Sequence, residues 1–220
     1  MAACILSAIS VRVCIFDLDH TLVRSSLDLA AMAVDMRALI ERELGPLPAR
    51  SERYRVGELV THCQRAAPEL EPRVWAVALD HERRAQADAT LEPGALEAVT
   101  GVRGRGFVTA VWTNNARACT VHVLEQLALA PHFDLVITRD ETRRMKPDPD
   151  GFRVIRERVP RLTDAVVVGD SWVDGVAARA AGVPFIAYRA DAVELGRHGV
   201  SPRARIDALL DLLRIVDTDS

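Results

Sequence analysis

Apolar positions along the chain fall into two regimes. In one, they form short unbroken runs: Val13 to Phe16, Phe107 to Trp112, Leu135 to Thr138, Ala165 to Val168 and Pro184 to Tyr188. Such runs, rich in β-branched and aromatic residues, predict strands buried on both faces. In the other, apolar residues recur every three to four positions. Asp28 is a good N-cap for a helix through about Leu44, with Leu29, Met32, Ala33, Met36 and Leu39 or Ile40 on one stripe, and Gly45-Pro46 stops it. A second helix is expected from about Ser51 to Ala67, with Leu59, Val60 and Cys63 inward. A third starts near Pro72 and carries Val74, Trp75, Ala78 and Leu79. Leu22 to about Leu91 thus reads as all-helical, with no strand.

Elsewhere helices alternate with the strands: Ala95 to Val102, Ala116 to Ala128, Asp150 to Val159 and Asp174 to Ala181. The tail, Arg205 to Val216, reads as a short strand and a helix capped by Asp207. Alternation at these lengths predicts an α/β fold, a Rossmann-like doubly wound parallel sheet. The expected organisation is a core of residues 1–21 and 92–220 interrupted by a helical domain of residues 22–91. Gly101 to Gly106 precedes a strand rather than following one, so it reads as a helix end and loop, not a dinucleotide fingerprint.

Composition narrows the function. Of 220 residues, 49% are apolar, enough for a sizeable core, and the net charge is −3. With no long basic block, neither nucleic acid nor an anionic membrane is expected as a partner. Cys4, Cys14, Cys63 and Cys119 lie far apart without a C-x-x-C, so reduced thiols and a cytoplasmic location are expected. The apolar opening, Met1 to Ser10, has no basic flank and is too short to span a bilayer. It reads as a lead-in to the first strand, with an export signal as the alternative. Lys146 is the sole lysine among 28 Lys plus Arg.

Chemistry enters where the first strand ends. Asp17 and Asp19 stand two residues apart, on one side of an extended chain, where they repel. A cation, a shared proton or deep hydration must hold such a pair. A solvated Asp turn would account for them alone. Later strand ends supply more: Thr113 and Asn114 after Trp112, Lys146 opening K-P-D-P, and Asp170 and Asp174 after Val168. Taken singly, Thr113 is a turn or capping residue, Lys146 a surface lysine and Asp174 an N-cap. In a parallel sheet, however, all carboxyl ends share one edge, where ligands bind. Asp17, Asp19, Thr113, Lys146, Asp170 and Asp174 can therefore converge on a Mg²⁺-assisted phosphoryl-transfer site.

The ordered motifs resemble those of the haloacid dehalogenase superfamily. Within it, the resemblance is to phosphatases of the phosphoglycolate phosphatase type, with a helical cap after the first motif. F-D-L-D-H-T-L matches D-x-D-x-T, V-W-T-N-N the Ser/Thr motif, K-P-D-P the lysine motif and G-D-S-W-V-D the acidic motif. E-P-G-A-L, F-D-L-V-I-T and A-A-G-V-P extend the similarity over nearly the whole chain. The resemblance implies Asp17 as nucleophile and Asp19 as general acid and base. It implies Thr113, Asn114 and Lys146 as the phosphoryl clamp, and Mg²⁺ held by Asp17, Asp19, Asp170 and Asp174.

Two positions depart from it. His20 stands where many relatives have glycine. Arg24 opens an Arg24-Ser25-Ser26 hinge where relatives often carry an acidic residue, and joins the candidate substrate-binding residues. The expected partner is a small phosphorylated metabolite, and the expected state a monomer or homodimer. Arg37, Arg42, Arg50, Arg53, Arg55 and Arg65 of the cap are enough cations for a second anionic group, although most read as solvated. A haloacid dehalogenase has no use for Asp19, Asp170 and Asp174 together. A phosphomutase stays open, though Thr21 fits the phosphatases better. A non-catalytic binding module would be marked by loss of Asp17, Asp19 or Lys146, and none is lost. Lys146→Arg is expected to damage turnover far more than stability.

Overall fold

The computed structural model describes residues 10–217, so the expected lead-in at residues 1–9 lies outside the described residues. In chain order the elements are β1 (Val11–Phe16), β2 (Val23–Arg24), α1 (Leu29–Leu44), α2 (Val56–Ala66) and α3 (Glu71–Ala85). Next come β3 (Thr90–Leu91), α4 (Ala95–Gly104), β4 (Phe107–Trp112), α5 (Arg117–Gln126), β5 (Leu135–Ile137) and α6 (Asp150–Arg158). The chain continues through β6 (Leu162–Gly169), α7 (Trp172–Ala181), β7 (Phe185–Tyr188), α8 (Ala192–Arg197), β8 (Ala204–Ile206) and α9 (Leu212–Asp217).

Six strands form one parallel sheet in the order β5-β4-β1-β6-β7-β8. The first strand is thus central, as its uninterrupted apolar run requires. Val13 and Ile15 join one core cluster with Ala110, Trp112, Val167 and Phe185, and Cys14 and Phe16 are fully buried with the opposite side-chain parity. Each large side chain buried this way contributes about 1.5–3 kcal/mol. Register fixes the working edge: Phe16 stands level with Val111 on β4 and Val168 on β6. Asp17 therefore emerges beside the ends of both neighbours, and its amide donates to Val168 O at 2.9 Å.

The chain divides into two compact units, residues 25–89 and the remainder. In the first, α1, α2 and α3 pack mutually, burying Met32, Met36, Ile40, Leu59, Val60, Cys63, Val74 and Ala78. Asp28 caps α1, accepting from the amides of Ala30 and Ala31. Leu29, expected on the apolar stripe, is instead exposed at the first helical position.

Several boundaries differ from expectation for identifiable reasons. The stretch Leu22 to Leu91 is not free of strand: Val23 pairs antiparallel with Leu91, and Arg24 with Thr90. A two-residue ladder carries no periodicity to read. The second helix starts at Val56, because Arg50 donates to the carbonyls of Glu52 and Arg53 and holds them outside the helix. α7 starts at Trp172, with Ser171 as its N-cap and Asp174 as its third residue. Ala208, not Asp207, holds the N-cap position, and it precedes a short 3-10 turn, Leu209–Asp211, rather than the helix directly. α8 was not expected, since six residues are too few for a helical stripe, although Asp191 caps it. Among the described residues no helix is long and apolar enough to cross a membrane.

Candidate active site

Four strand or loop ends meet at the carboxyl edge of the sheet. Lys146 Nζ stands at their centre, 2.6 Å from Asp17 Oδ1, 2.5 Å from Asp174 Oδ1 and 2.8 Å from Trp112 O. It is 6% exposed, so these three acceptors replace its hydration. The loop carrying it is fixed by Asn114, whose side-chain amide donates to Lys146 O at 3.0 Å and accepts from Lys146 N at 2.9 Å. The β4 end thereby positions the lysine through its main chain, independently of what the ammonium binds.

Asp174 is held from both sides. Its Oδ2 accepts from Ser171 Oγ at 2.6 Å and from Ser171 N at 3.2 Å, leaving Oδ1 to Lys146. Glycine is required at position 169, because a Cβ there would lie 2.6 Å from Asp174 Cγ. Asp17, Asp170 and Asp174 each place a carboxylate oxygen within 4.8 Å of the other two. The Asp19 carboxylate lies outside that trio and accepts from Asn115 Nδ2 at 2.6 Å. Thr113 is buried; its amide donates to Ile137 O and its Oγ1 accepts from Asn115 N. His20 is exposed in a left-handed conformation, its amide donating to Val23 O.

Charge does not balance within this group. Three carboxylates face one ammonium. Burial, outweighing Lys146 and reinforced by Asp174 and Asp19, pushes Asp17 up to about 7. Burial, with the Asp17 and Asp174 carboxylates, pushes Asp170 up to about 8. Burial works against the Lys146 ammonium, but Asp17 and Asp174 outweigh it and hold the lysine well above its ordinary value. The surplus is negative and built from hard oxygen ligands. That is the donor set a small divalent cation fits: the trio of Asp17, Asp170 and Asp174 would hold it.

Of the residues expected at the site, Asp17, Lys146, Asp170 and Asp174 come together directly, and Asn114 serves the lysine. Arg24 is engaged elsewhere: it lies on β2, its Nε 2.8 Å from Glu92 Oε1. Within the helical unit Arg37, Arg42 and Arg50 pair with Glu41, Glu43 and Glu58, and Arg50 stacks on Tyr54. Sequence reasoning missed Asn115, Ser171 and the Trp112 carbonyl. The T-N-N after β4 was the available signal for Asn115; main-chain partners leave none.

Residues 11–182 match the family model of the haloacid dehalogenase-like hydrolases. A phosphoglycolate phosphatase of Cereibacter sphaeroides is 34% identical, over 91% of this chain and 96% of that one. The phosphoglycolate phosphatase of Rhodobacter capsulatus is 32% identical, over 79% and 82%. Among solved structures, a hydrolase from Pseudomonas syringae superposes with a TM-score of 0.69 at 23% identity, covering 93% of this chain and 97% of that one. A superfamily hydrolase from Geobacter sulfurreducens gives 0.61 at 23%, covering 94% and 100%. Those two share the fold. With a family model spanning β1 through α7 and relatives this similar over most of their length, the chain belongs to the haloacid dehalogenase-like hydrolases.

Proposed function

We propose that the protein is a Mg²⁺-dependent phosphatase of small phosphomonoesters, acting through an aspartyl phosphate on Asp17. The observation that carries this reading is the Lys146 ammonium seated between Asp17 and Asp174, with Asp170 completing the trio. An Asp17 oxygen attacks phosphorus as the bond to the leaving oxygen breaks, and Asp19 gives that oxygen its proton. Asp19 then takes a proton from water, which attacks the same phosphorus, frees inorganic phosphate and restores Asp17. Asn115 orients the Asp19 carboxylate for both transfers. The Lys146 ammonium, the Thr113 hydroxyl and the Asn114 main-chain amide hold the phosphoryl oxygens. Bound among Asp17, Asp170 and Asp174, with the Asp19 main-chain carbonyl, Mg²⁺ would neutralise charge between an anionic nucleophile and an anionic phosphate.

Two relatives bear the name phosphoglycolate phosphatase, which makes phosphoglycolate the first substrate to try. The test is phosphate release from phosphoglycolate and p-nitrophenyl phosphate, with Mg²⁺ and after chelation. Activity is expected to need the metal and to fall at least about 10³-fold in Asp17→Asn. Undiminished turnover by purified Asp17→Asn would refute the mechanism.

A further inference from the structure

A second buried charge lies on the same edge of the sheet. Glu92 is 6% exposed. Its Oε2 accepts from Tyr188 Oη at 2.9 Å, at the carboxyl end of β7, with Arg189 Nη1 at 3.5 Å. Its Oε1 accepts from Arg24 Nε at 2.8 Å, and its own amide donates to Leu22 O at 2.9 Å. Burial raises the carboxyl's proton affinity, but Arg24, Tyr188 and Arg189 together bring it below the ordinary glutamate value, so it stands ionised. Nothing in the proposed chemistry uses it.

The segment Glu92 holds is the support of the catalytic turn. Val23 lies bridged beside Asp19, and His20 N donates to Val23 O at 2.7 Å. The amides of Leu22 and Val23 both return to Leu18 O, closing the turn around Asp19. Asn115 supports the Asp19 carboxylate, and Val23 supports its main chain. The second support is only as firm as β2, a two-residue strand whose partner, β3, is equally short. Glu92 ties that strand to β7 of the central sheet through Arg24 and Tyr188.

We infer that Glu92 is a positioning residue for Asp19, anchoring β2 so that the acid/base carboxyl meets the leaving oxygen. This rests on the phosphatase reading. Removing the charge leaves two donors, Arg24 and Tyr188, facing an amide with one acceptor oxygen. The anchor weakens on one side, and the turn carrying Asp19 loosens.

A displaced general acid has a signature that a loss of packing does not. Protonation matters most when the leaving group is a strong base. Phenyl phosphate and p-nitrophenyl phosphate share a ring and differ in leaving-group basicity, and kcat/KM reports only steps through ester cleavage. With saturating Mg²⁺, Glu92→Gln is expected to lower kcat/KM for phenyl phosphate about 10-fold, and for p-nitrophenyl phosphate by less than about 3-fold. Tyr188→Phe, which removes the donor at the far end of the anchor, is expected to shift the same ratio in the same direction. It carries the test should Glu92→Gln not fold. Equal losses on both substrates, or none on either, overturn the inference. A wild-type protein inactive on both esters with Mg²⁺ would instead overturn the phosphatase reading itself.

Discussion

At the scale of single residues, Lys146 uses all three ammonium donors on fixed acceptors: Asp17, Asp174 and the Trp112 carbonyl. A guanidinium is larger, and its planar fork cannot converge on three points around one nitrogen. Lys146→Arg is therefore expected to lower kcat about 10²-fold. From the sequence, stability was expected to change little, because arginine replaces lysine everywhere else in the chain. The burial of Lys146 corrects that expectation. Overpacking a filled site costs about 1–3 kcal/mol, so the thermal midpoint should fall as well. Both are measured on one preparation with saturating Mg²⁺; wild-type kcat would remove Lys146 from the phosphate clamp. Asp17 and Asp170 were legible because each directly follows an apolar strand, and Lys146 because it is the sole lysine and opens a proline-stiffened loop. Asn115 and Ser171 were not, because which hydroxyl or amide meets a carboxylate depends on turn geometry that spacing does not encode.

At the scale of elements, the register of β1 against β4 and β6 and the start of α7 place the carboxylates. Asp174 reaches Lys146 only because the chain at Gly169 leaves room for its side chain. A methyl there would overlap Asp174 Cβ, Cγ and Oδ2, all within 2.7 Å, while Ser171 and Lys146 prevent the carboxylate from swinging aside without loss of their bonds. Gly169→Ala is expected to lose about 1–3 kcal/mol of stability and to lower kcat at least about 10-fold. Chemical denaturation and steady-state kinetics check the two together; a variant with native kcat would show that Asp174 need not hold the lysine. Long strands were legible from unbroken apolar runs, and α1 from its stripe and its Asp28 cap. β2 and β3 were not, since their pairing joins residues far apart in sequence and too few to show a period.

At the scale of the whole molecule, that short ladder is where the chain leaves one unit and returns to it. Arg24 and Thr90 are directly paired, so residues 25–89 depart and come back at adjacent positions. The insertion was legible as a helical stretch between α/β elements; its junction was not. Two paired strand ends are the geometry a two-residue hairpin closes, and Asn-Gly is the sequence that best adopts the required turn. Joining Arg24 to Thr90 through Asn-Gly would remove the helical unit while keeping the Val23–Leu91 and Arg24–Thr90 pairs. The unit that remains keeps the six-stranded sheet and the Asp17, Asp170 and Asp174 trio. It is expected to unfold in a single cooperative thermal transition. Mg²⁺ at about 100 times its dissociation constant should add roughly 2.7 kcal/mol, a midpoint rise of several degrees, and Asp170→Asn in the same shortened chain should abolish most of that rise. Failure to show a cooperative transition would mean that the sheet does not fold without residues 25–89. A cooperative transition with no response to Mg²⁺ would place the cation site elsewhere.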